Sequence, residues 1–312
     1  MTNILYAIRR FLAVMLVGIM FFGVSKNGAE PHAVLDEESC RLSAFIASDA
    51  HIEGNQYGKF KNFSRMLYDI KNGTTENDAV VFLGDNTMNG QNIENMFFFG
   101  ALSKVSPAKN TIVALGNHDV GNGEGNYNEL IERYLAYNNM FFNAGISKPY
   151  FYKVINGYYF IMLGTEASTS NEMAVTQEQL DFLKATMDLA TAEGKPVFVF
   201  NHHPVNREEG EYVYSIINIL ESYKNVFYIY GHTHWPLYSH TMQVYDKVHM
   251  LNVPMFTSIN PKTRPERTQA SHSRLKFTTT AWSSAPAIAM TANGSKTTHI
   301  QSRLKNKAVI SV

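Results

Sequence analysis

The sequence predicts an α/β fold, and two observations predict it. Short apolar runs of strand length alternate with longer segments whose apolar residues recur at helical spacing, the pattern of a parallel-leaning sheet with helices packed on it. Five of those apolar runs end in clusters of Asp, Asn and His, one after another along the chain. The composition agrees: 45% hydrophobic and 17% charged residues over 312 positions fit a packed body and exclude a disordered, collagenous or coiled-coil chain.

Taken in order, residues 1–25 read as a leader. Arg9 and Arg10 precede an unbroken apolar run from Phe11 to Val24, followed by the polar stretch SKNGAEPH. A spanning helix needs about 20 apolar residues and the core of an export signal about 7–15, so the segment reads as a signal peptide or, uncleaved, as an N-terminal membrane anchor. The protein is therefore expected to be exported: secreted, periplasmic or at the cell surface, with membrane contact only through this segment. Residues 26–40 form a linker, and a single domain is expected over 41–260. Within it RLSAFIAS (41–48) is a buried strand, helix 60–72 leads to strand 79–84, and helix 92–105 leads to strand 111–116. A helix over 125–141 precedes two aromatic strands (149–165) that turn at Asn156-Gly157, a strong hairpin signal. Thr176 caps helix 177–191, with Gln179 placed as in a capping box. Strand 196–204, helix 210–222 and strand 225–234 repeat the alternation, and 249–258 is a late strand pair or edge.

Residues 261–312 differ from the rest. They carry 9 basic and 1 acidic side chains against 18 and 26 in residues 1–260, and are rich in Ser and Thr. They read either as a divergent sheet edge, with partial strands at RLKFTTTAW and AVISV, or as the product of a reading-frame shift. The formal charge of zero and the acidic body argue against binding of a nucleic-acid duplex. Cys40, the only cysteine, rules out an intramolecular disulfide and any Cys-cluster metal site.

The chemistry lies at the strand ends. Asp49 and His51 follow the first strand, Asp85 the second, Asn117, His118 and Asp119 the third, His202 and His203 the fourth, and His232 and His234 the fifth. In open α/β sheets ligands collect beyond the carboxyl ends of the strands, where loops from neighbouring strands converge. Asp49 and His51, two apart in extended chain, should face one side, as should His232 and His234. This mixed nitrogen and oxygen set suits Mn, Fe, Zn or Co better than Ca or Mg, and is too large for one four-coordinate ion. Taken singly, each cluster is explained as well by a cap, a turn or a surface histidine; five in order are not.

The ordered set D-x-H, G-D, G-N-H-D, H-H-P and G-H-T-H resembles the calcineurin-like metallophosphoesterase family. Its motif style is similar to that of small cyclic-nucleotide phosphodiesterase-like phosphohydrolases. The resemblance implies a four-layer α/β/β/α sandwich and two metal ions. Asp49, His51, Asp85 and His234 would hold the first, and Asp85, Asn117, His202 and His232 the second, with Asp85 bridging. It implies hydrolysis of a small phosphomonoester or phosphodiester by metal-activated hydroxide, with His118 protonating the leaving oxygen. Asn117 and His118 would also meet the substrate phosphate, and His203 would face substrate or stand behind the ligands.

One position departs from the family. Where many members carry Asp or Asn three residues beyond the second-strand aspartate, this chain has Met88, followed by Asn89. Met88 cannot support His118 with a side-chain carboxylate, so Asn89, Asp119 or a displaced group takes that role, or the acid is weakly assisted. Met88 also stands where purple acid phosphatases carry a tyrosine ligand, which argues against a purple centre. The competing reading from another class is an exported metal- or ligand-binding protein with lost or weak hydrolase activity. The oligomeric state is left open.

Overall fold

The computed structural model describes residues 7–15, 40–72, 77–105, 110–205, 211–234, 242–245, 247–253, 255, 273–279, 286–292, 299–301 and 309–311. Its framework is two sheets face to face. In the first, β1 (Cys40–Ala47), β2 (Ala79–Phe82) and β3 (Asn110–Val113) run parallel. The helices α2 (Tyr57–Asn72) and α3 (Asn92–Val105) make the crossovers. In the second, the order is β4 (Phe151–Ile155), β5 (Tyr158–Met162), β6 (Val197–Phe200), β7 (Val226–Tyr230), β9 (Val248–Asn252) and β8 (Met242–Tyr245). Strands β5, β6, β7 and β9 are parallel, and the antiparallel partners β4 and β8 close the two edges.

Four layers follow from which side chains meet. Phe45, Val80, Phe82 and Val113 of the first sheet pack against Phe60 and Phe63 of α2, Phe98 of α3 and Tyr134 of α4 (Tyr127–Phe142). Their neighbours along the same strands, Leu42, Ala44, Ile46, Val81 and Ile112, face the other way and meet Phe160, Phe198, Phe200 and Ile229 of the second sheet. On the far side Ile161, Val199 and Tyr228 pack on Leu180, Leu183 and Met187 of α5 (Gln177–Ala190) and Ile216 and Leu220 of α6 (Glu211–Glu221). A strand sandwiched on both faces must be apolar at every position, which is why β2, β6 and β7 are continuous hydrophobic runs rather than alternating ones.

The stretch beyond residue 260 contributes to the first sheet. There β10 (Ser273–Thr279) lies antiparallel against β1, with Phe45 opposite Arg274 and Leu42 opposite Phe277, and β11 (Pro286–Ala292) pairs with β10. A separate pair joins β12 (His299–Gln301) and β13 (Val309–Ser311). Of the leader, residues 7–15 form a helix, α1, with Ala13 buried in the first core and the Arg10 guanidinium 6.0 Å from the Phe141 ring. Residues 1–6 and 16–39 lie outside the described part, so most of the leader and all but the last residue of the linker are not placed. Among the described residues no helix is long and apolar enough to cross a membrane.

Two local expectations are corrected. Of the range 249–258, the part within β9 is interior rather than an edge, because β8 pairs beside it and supplies the edge, while 254 and 256–258 lie outside the described residues. The α5 cap is only half a capping box: the Thr176 hydroxyl accepts from the Gln179 backbone N–H, but Gln179 does not reach back. Its buried amide is already paired with both backbone groups of Gly164, and Glu166 accepts the Thr176 N–H instead.

Candidate functional site

Three glycines let the strand ends close on one another. A Cβ on Gly84 would stand 2.6 Å from the Gly116 nitrogen, and one on Gly116 would stand 2.2 Å from both the backbone nitrogen and Oδ1 of Asp85. A Cβ on Gly231 would fall 1.9 Å from the Ser48 hydroxyl. The loops after β1 and β2 then run side by side: Asp49 N donates to Gly84 O, His51 N to Asp85 O, Ile52 N to Asn86 O, and Met88 N returns to Ile52 O. The buried Asp119 carboxylate ties the loop after β3 to them, accepting from Gly116 N, Asn86 N and Nδ2, Thr87 N and the Thr87 hydroxyl. Burial and the nearby Asp85 charge raise the Asp119 carboxyl above its ordinary range, while these donors pull the other way.

The side chains converge in two groups that share Asp85. Asp49, His51, Asp85 and His234 form one and Asp85, His202 and His232 the other, and within each group one donor atom per residue lies within 4.8 Å of the rest. In the first, His234 Nε2 is 3.1 Å from Asp49 Oδ1 and 3.2 Å from His51 Nε2, and His51 Nε2 is 3.8 Å from Asp85 Oδ2. In the second, His202 Nε2 is 3.1 Å from the same Asp85 Oδ2, and His232 Nδ1 is 3.2 Å from both His202 Nε2 and Asn117 Oδ1. Asp85 Oδ1 faces elsewhere and accepts the His118 backbone N–H.

The donor set fits two cations. Imidazole nitrogens face one another across 3.2 Å in both halves, and in the second an amide oxygen as well, an arrangement with few protons to share and many lone pairs to satisfy. Asp49, Asp85 and His202 are all but fully buried, an arrangement in which bare carboxylates are costly unless positive charge is close. Burial would raise the Asp49 carboxyl, but His234 and His51 outweigh it and hold it well below the usual range. Asp85 is lowered too, because the adjacent His202 overrides its burial. His202 is correspondingly pushed up to about 9, Asp85 winning over desolvation, and His232 is pushed down to about 4 by burial and by His202. A proton on His202 thus supplies, without metal, part of the charge a cation would bring.

The backbone at these positions corrects an expectation. Asp49, His51, His232 and His234 do not face the site from extended chain: all four are left-handed, with φ of 58°, 43°, 65° and 54°, and Asp85 is left-handed at 49°. Every other left-handed non-glycine residue described is an asparagine. For Asp and His the conformation costs about 1–2 kcal/mol per residue, and it persists because the converging loops leave no alternative.

His118 sits on a short 3-10 turn (His118–Val120), its ring edge-on to His51 at 4.7 Å between centroids. Its support is a group that the sequence pattern could not name. Nδ1 is 2.8 Å from the backbone carbonyl of Met88, and a carbonyl only accepts, so Nδ1 carries the proton. Asn89 is turned away, its side chain donating to Glu94, and Asp119 is occupied as described. His203 is buried, its ring 4.7 Å from that of His232 and 5.2 Å from that of His202, with no hydrogen-bond partner at either nitrogen among the described residues. Burial, with His202 and His232 beside it, lowers its pKa well below the ordinary value. Further side chains missed in the sequence hold the facing loops. Asn201 accepts the His202 N–H, Tyr228 donates to the His203 carbonyl, and Asn252 donates to the Thr233 hydroxyl between the two histidines of GHTH.

A layered α/β fold with convergent carboxylates and imidazoles at its strand ends defines a candidate metal-binding centre. The profile of the calcineurin-like phosphoesterases matches residues 43–236, and the chain belongs to that family. Solved structures agree on the fold. A dimetal phosphatase from Danio rerio is 14% identical with a TM-score of 0.56, over 82% of this chain and 96% of its own. A purple acid phosphatase from yellow lupin (Lupinus luteus) seeds is 14% identical with a TM-score of 0.53, over 86% of this chain and 53% of its own. None of the curated protein sequences matches this chain. The protein is thus a metal-dependent phosphoesterase.

Proposed function

We propose that this protein hydrolyses small phosphate esters outside the cytoplasm, with two metal ions held as the ordered motifs imply. The supporting observation is that both candidate ligand groups share Asp85, whose backbone-anchored carboxylate reaches His51 on one side and His202 on the other. Asp49, His51, Asp85 and His234 would hold one ion, and Asp85, Asn117, His202 and His232 the second. Such a pair, when bound, lowers the pKa of water and neutralises phosphoryl oxygens.

The remaining work belongs to the chain. With Nδ1 donating to Met88, His118 acts from its doubly protonated form: Nε2 gives its proton to the departing oxygen, and the neutral Nδ1–H ring, held by that carbonyl, is left. The acceptor behind His118 is a neutral carbonyl rather than a carboxylate, which favours esters whose leaving group needs modest help. His203, buried behind His202 and His232, keeps those rings upright by packing. The export reading rests on Arg9, Arg10 and the apolar run that follows them.

Reconstitution with Mn or Zn should give about two ions per chain, with turnover of nitrophenyl mono- or diesters. A ceiling of one ion, or two ions with no turnover across monoesters, cyclic nucleotides and glycerophosphodiesters, would overturn the reading; the second result would leave a metal-binding protein. His118→Asn should lower kcat by about 10²–10⁴ for alkyl esters and less for nitrophenyl esters, with metal content unchanged. A reporter active only after export, fused to residues 1–40, tests the location; retention in the cytoplasm would refute it.

A further inference from the structure

The loop that follows His118, Gly121 to Asn126, lies outside the ligand motifs, yet it is fixed as firmly as they are. Gly121, Asn122 and Gly123 are consecutively left-handed, with φ of 90°, 51° and 88°. Asn122 N donates to Asn117 O at 2.8 Å, Gly121 N to His118 O, and Glu124 N to Gly121 O. From outside, the Ser168 hydroxyl accepts from Gly123 N at 3.1 Å and Gly125 N at 3.3 Å. A Cβ on Gly121 would meet the Gly125 Cα at 2.4 Å, so the curl requires glycine there.

This curl turns the Asn122 side chain back onto Asn117, where Oδ1 accepts from Asn117 Nδ2 at 2.8 Å. A carboxamide has an acceptor at one end and a donor at the other, so sending Nδ2 outward forces Oδ1 inward. Asn117 Oδ1 accordingly stands 3.2 Å from His232 Nδ1. The opposite flip would aim an NH2 group at the same point, where it could bind no cation. Nothing in the Asn117 backbone distinguishes the two flips; the Asn122 oxygen turned toward Nδ2 matches this one.

We propose that Asn122 is a positioning residue for the second metal ion: by accepting the Asn117 amide proton it commits the Asn117 oxygen to that ion. The proposal rests on the two-ion reading above. It does not make Asn122 a ligand or a catalytic residue.

The test compares Asn122→Gly with Asn122→Asp in the full-length protein, titrating the metal-free form with Mn2+ by calorimetry and following the coupled Mn pair by electron paramagnetic resonance. Glycine suits the left-handed backbone but removes the acceptor. The Gly variant should therefore keep the metal-free melting temperature while binding the second ion about 10–100-fold more weakly, with the first ion unaffected. Aspartate keeps an acceptor at the same place and should restore second-ion binding at both low and high salt. An unchanged second ion in the Gly variant overturns the proposal while the two-ion reading stands. Recovery by Asp at low salt alone also overturns it, since the effect would then be added charge. Wild-type protein holding one ion sinks the proposal and the reading together.

Discussion

The two sheets build their halves of the site from different groups. The loops of the first sheet bring both carboxylates, and they are stitched by backbone hydrogen bonds from strand end to strand end, with Asp119 riveting the third loop to the second. The loops of the second sheet bring imidazoles alone; backbone bonds join them too, Gly231 N to His202 O and Val253 N to Tyr230 O, and side chains add to these: Asn201 and Tyr228 at the His202-His203 turn, Asn252 through Thr233 at GHTH. The difference is one of electrostatic cost. A buried carboxylate without a partner is an uncompensated charge, and the imidazoles of the other half supply the compensation, His202 by holding a proton against Asp85. His234, at the end of the second half, is the most open of the candidate ligands, with 43% of its side chain exposed.

The sharpest break of this asymmetry is at Asp85, which faces both halves. Asp85→Ala should abolish binding of both ions and lower turnover on the order of 10³-fold or more. His234→Ala, removing one exposed imidazole, should weaken a single ion about 10–100-fold. Metal analysis of the two variants beside wild type decides it, and equal losses would mean that the halves are not distinct.

Next in size is the rivet. Asp119→Ala leaves the Thr87 hydroxyl and the N–H groups of Gly116 and Thr87 without their buried acceptor, so unfolding free energy should fall by about 3 kcal/mol. Asn252→Ala, the corresponding change in the second half, removes one bond and should cost about 1 kcal/mol. Urea denaturation of the metal-free proteins gives both values.

Much of this was legible in the sequence, and the limits were physical. The buried strands and their helices announce themselves because a strand covered on both faces has no freedom to carry polar residues, and the five polar ends stand out against them. Which loop touches which could not be read, because it depends on backbone hydrogen bonds between strand ends far apart in sequence. The support for His118 is a clear instance: the Met88 side chain suggested a gap, and the Met88 carbonyl fills it. Asp49 and His51 both face the site, as do His232 and His234, but not through period-two alternation, which does not operate in left-handed backbone. Gly121-Asn122-Gly123 carries a signal, an asparagine between glycines marking left-handed chain, but its contact with Asn117 depends on how the loop curls in three dimensions.

The halves also differ in how they respond to pH without metal. Burial opposes charge on His202, but Asp85 beside it raises its pKa to about 9, above the ordinary 6.5. Its contribution to metal-free stability is then present in full below about pH 6.5 and lost as pH rises through about 9. A cation must displace this proton, so Mn2+ uptake at pH 7.5 should release about one proton from this site and bind more tightly as pH rises. Calorimetry in buffers of different ionisation enthalpy measures the release. No release at pH 7.5 would mean that Asp85 does not hold His202 protonated, and that charge in the two halves is balanced some other way.

The smallest expected effect isolates the backbone itself. His234 is left-handed at φ 54° and exposed, so replacing it removes an imidazole without opening a core cavity. Ala and Gly at this position lose the same ring and the same bond to Asp49, and they differ only in tolerance of that conformation. In the metal-free protein His234→Gly should therefore be more stable than His234→Ala by about 1 kcal/mol. At an ordinary helical position such as Lys184, exposed on α5, the order should reverse, with Gly about 1 kcal/mol less stable than Ala. The sign of the difference, read from paired denaturation curves, is what matters. If Ala is the more stable at both positions, the left-handed turn relaxes once the imidazole is gone, and it is the contacts of the ring, not the loops, that hold the second half of the site in its strained form.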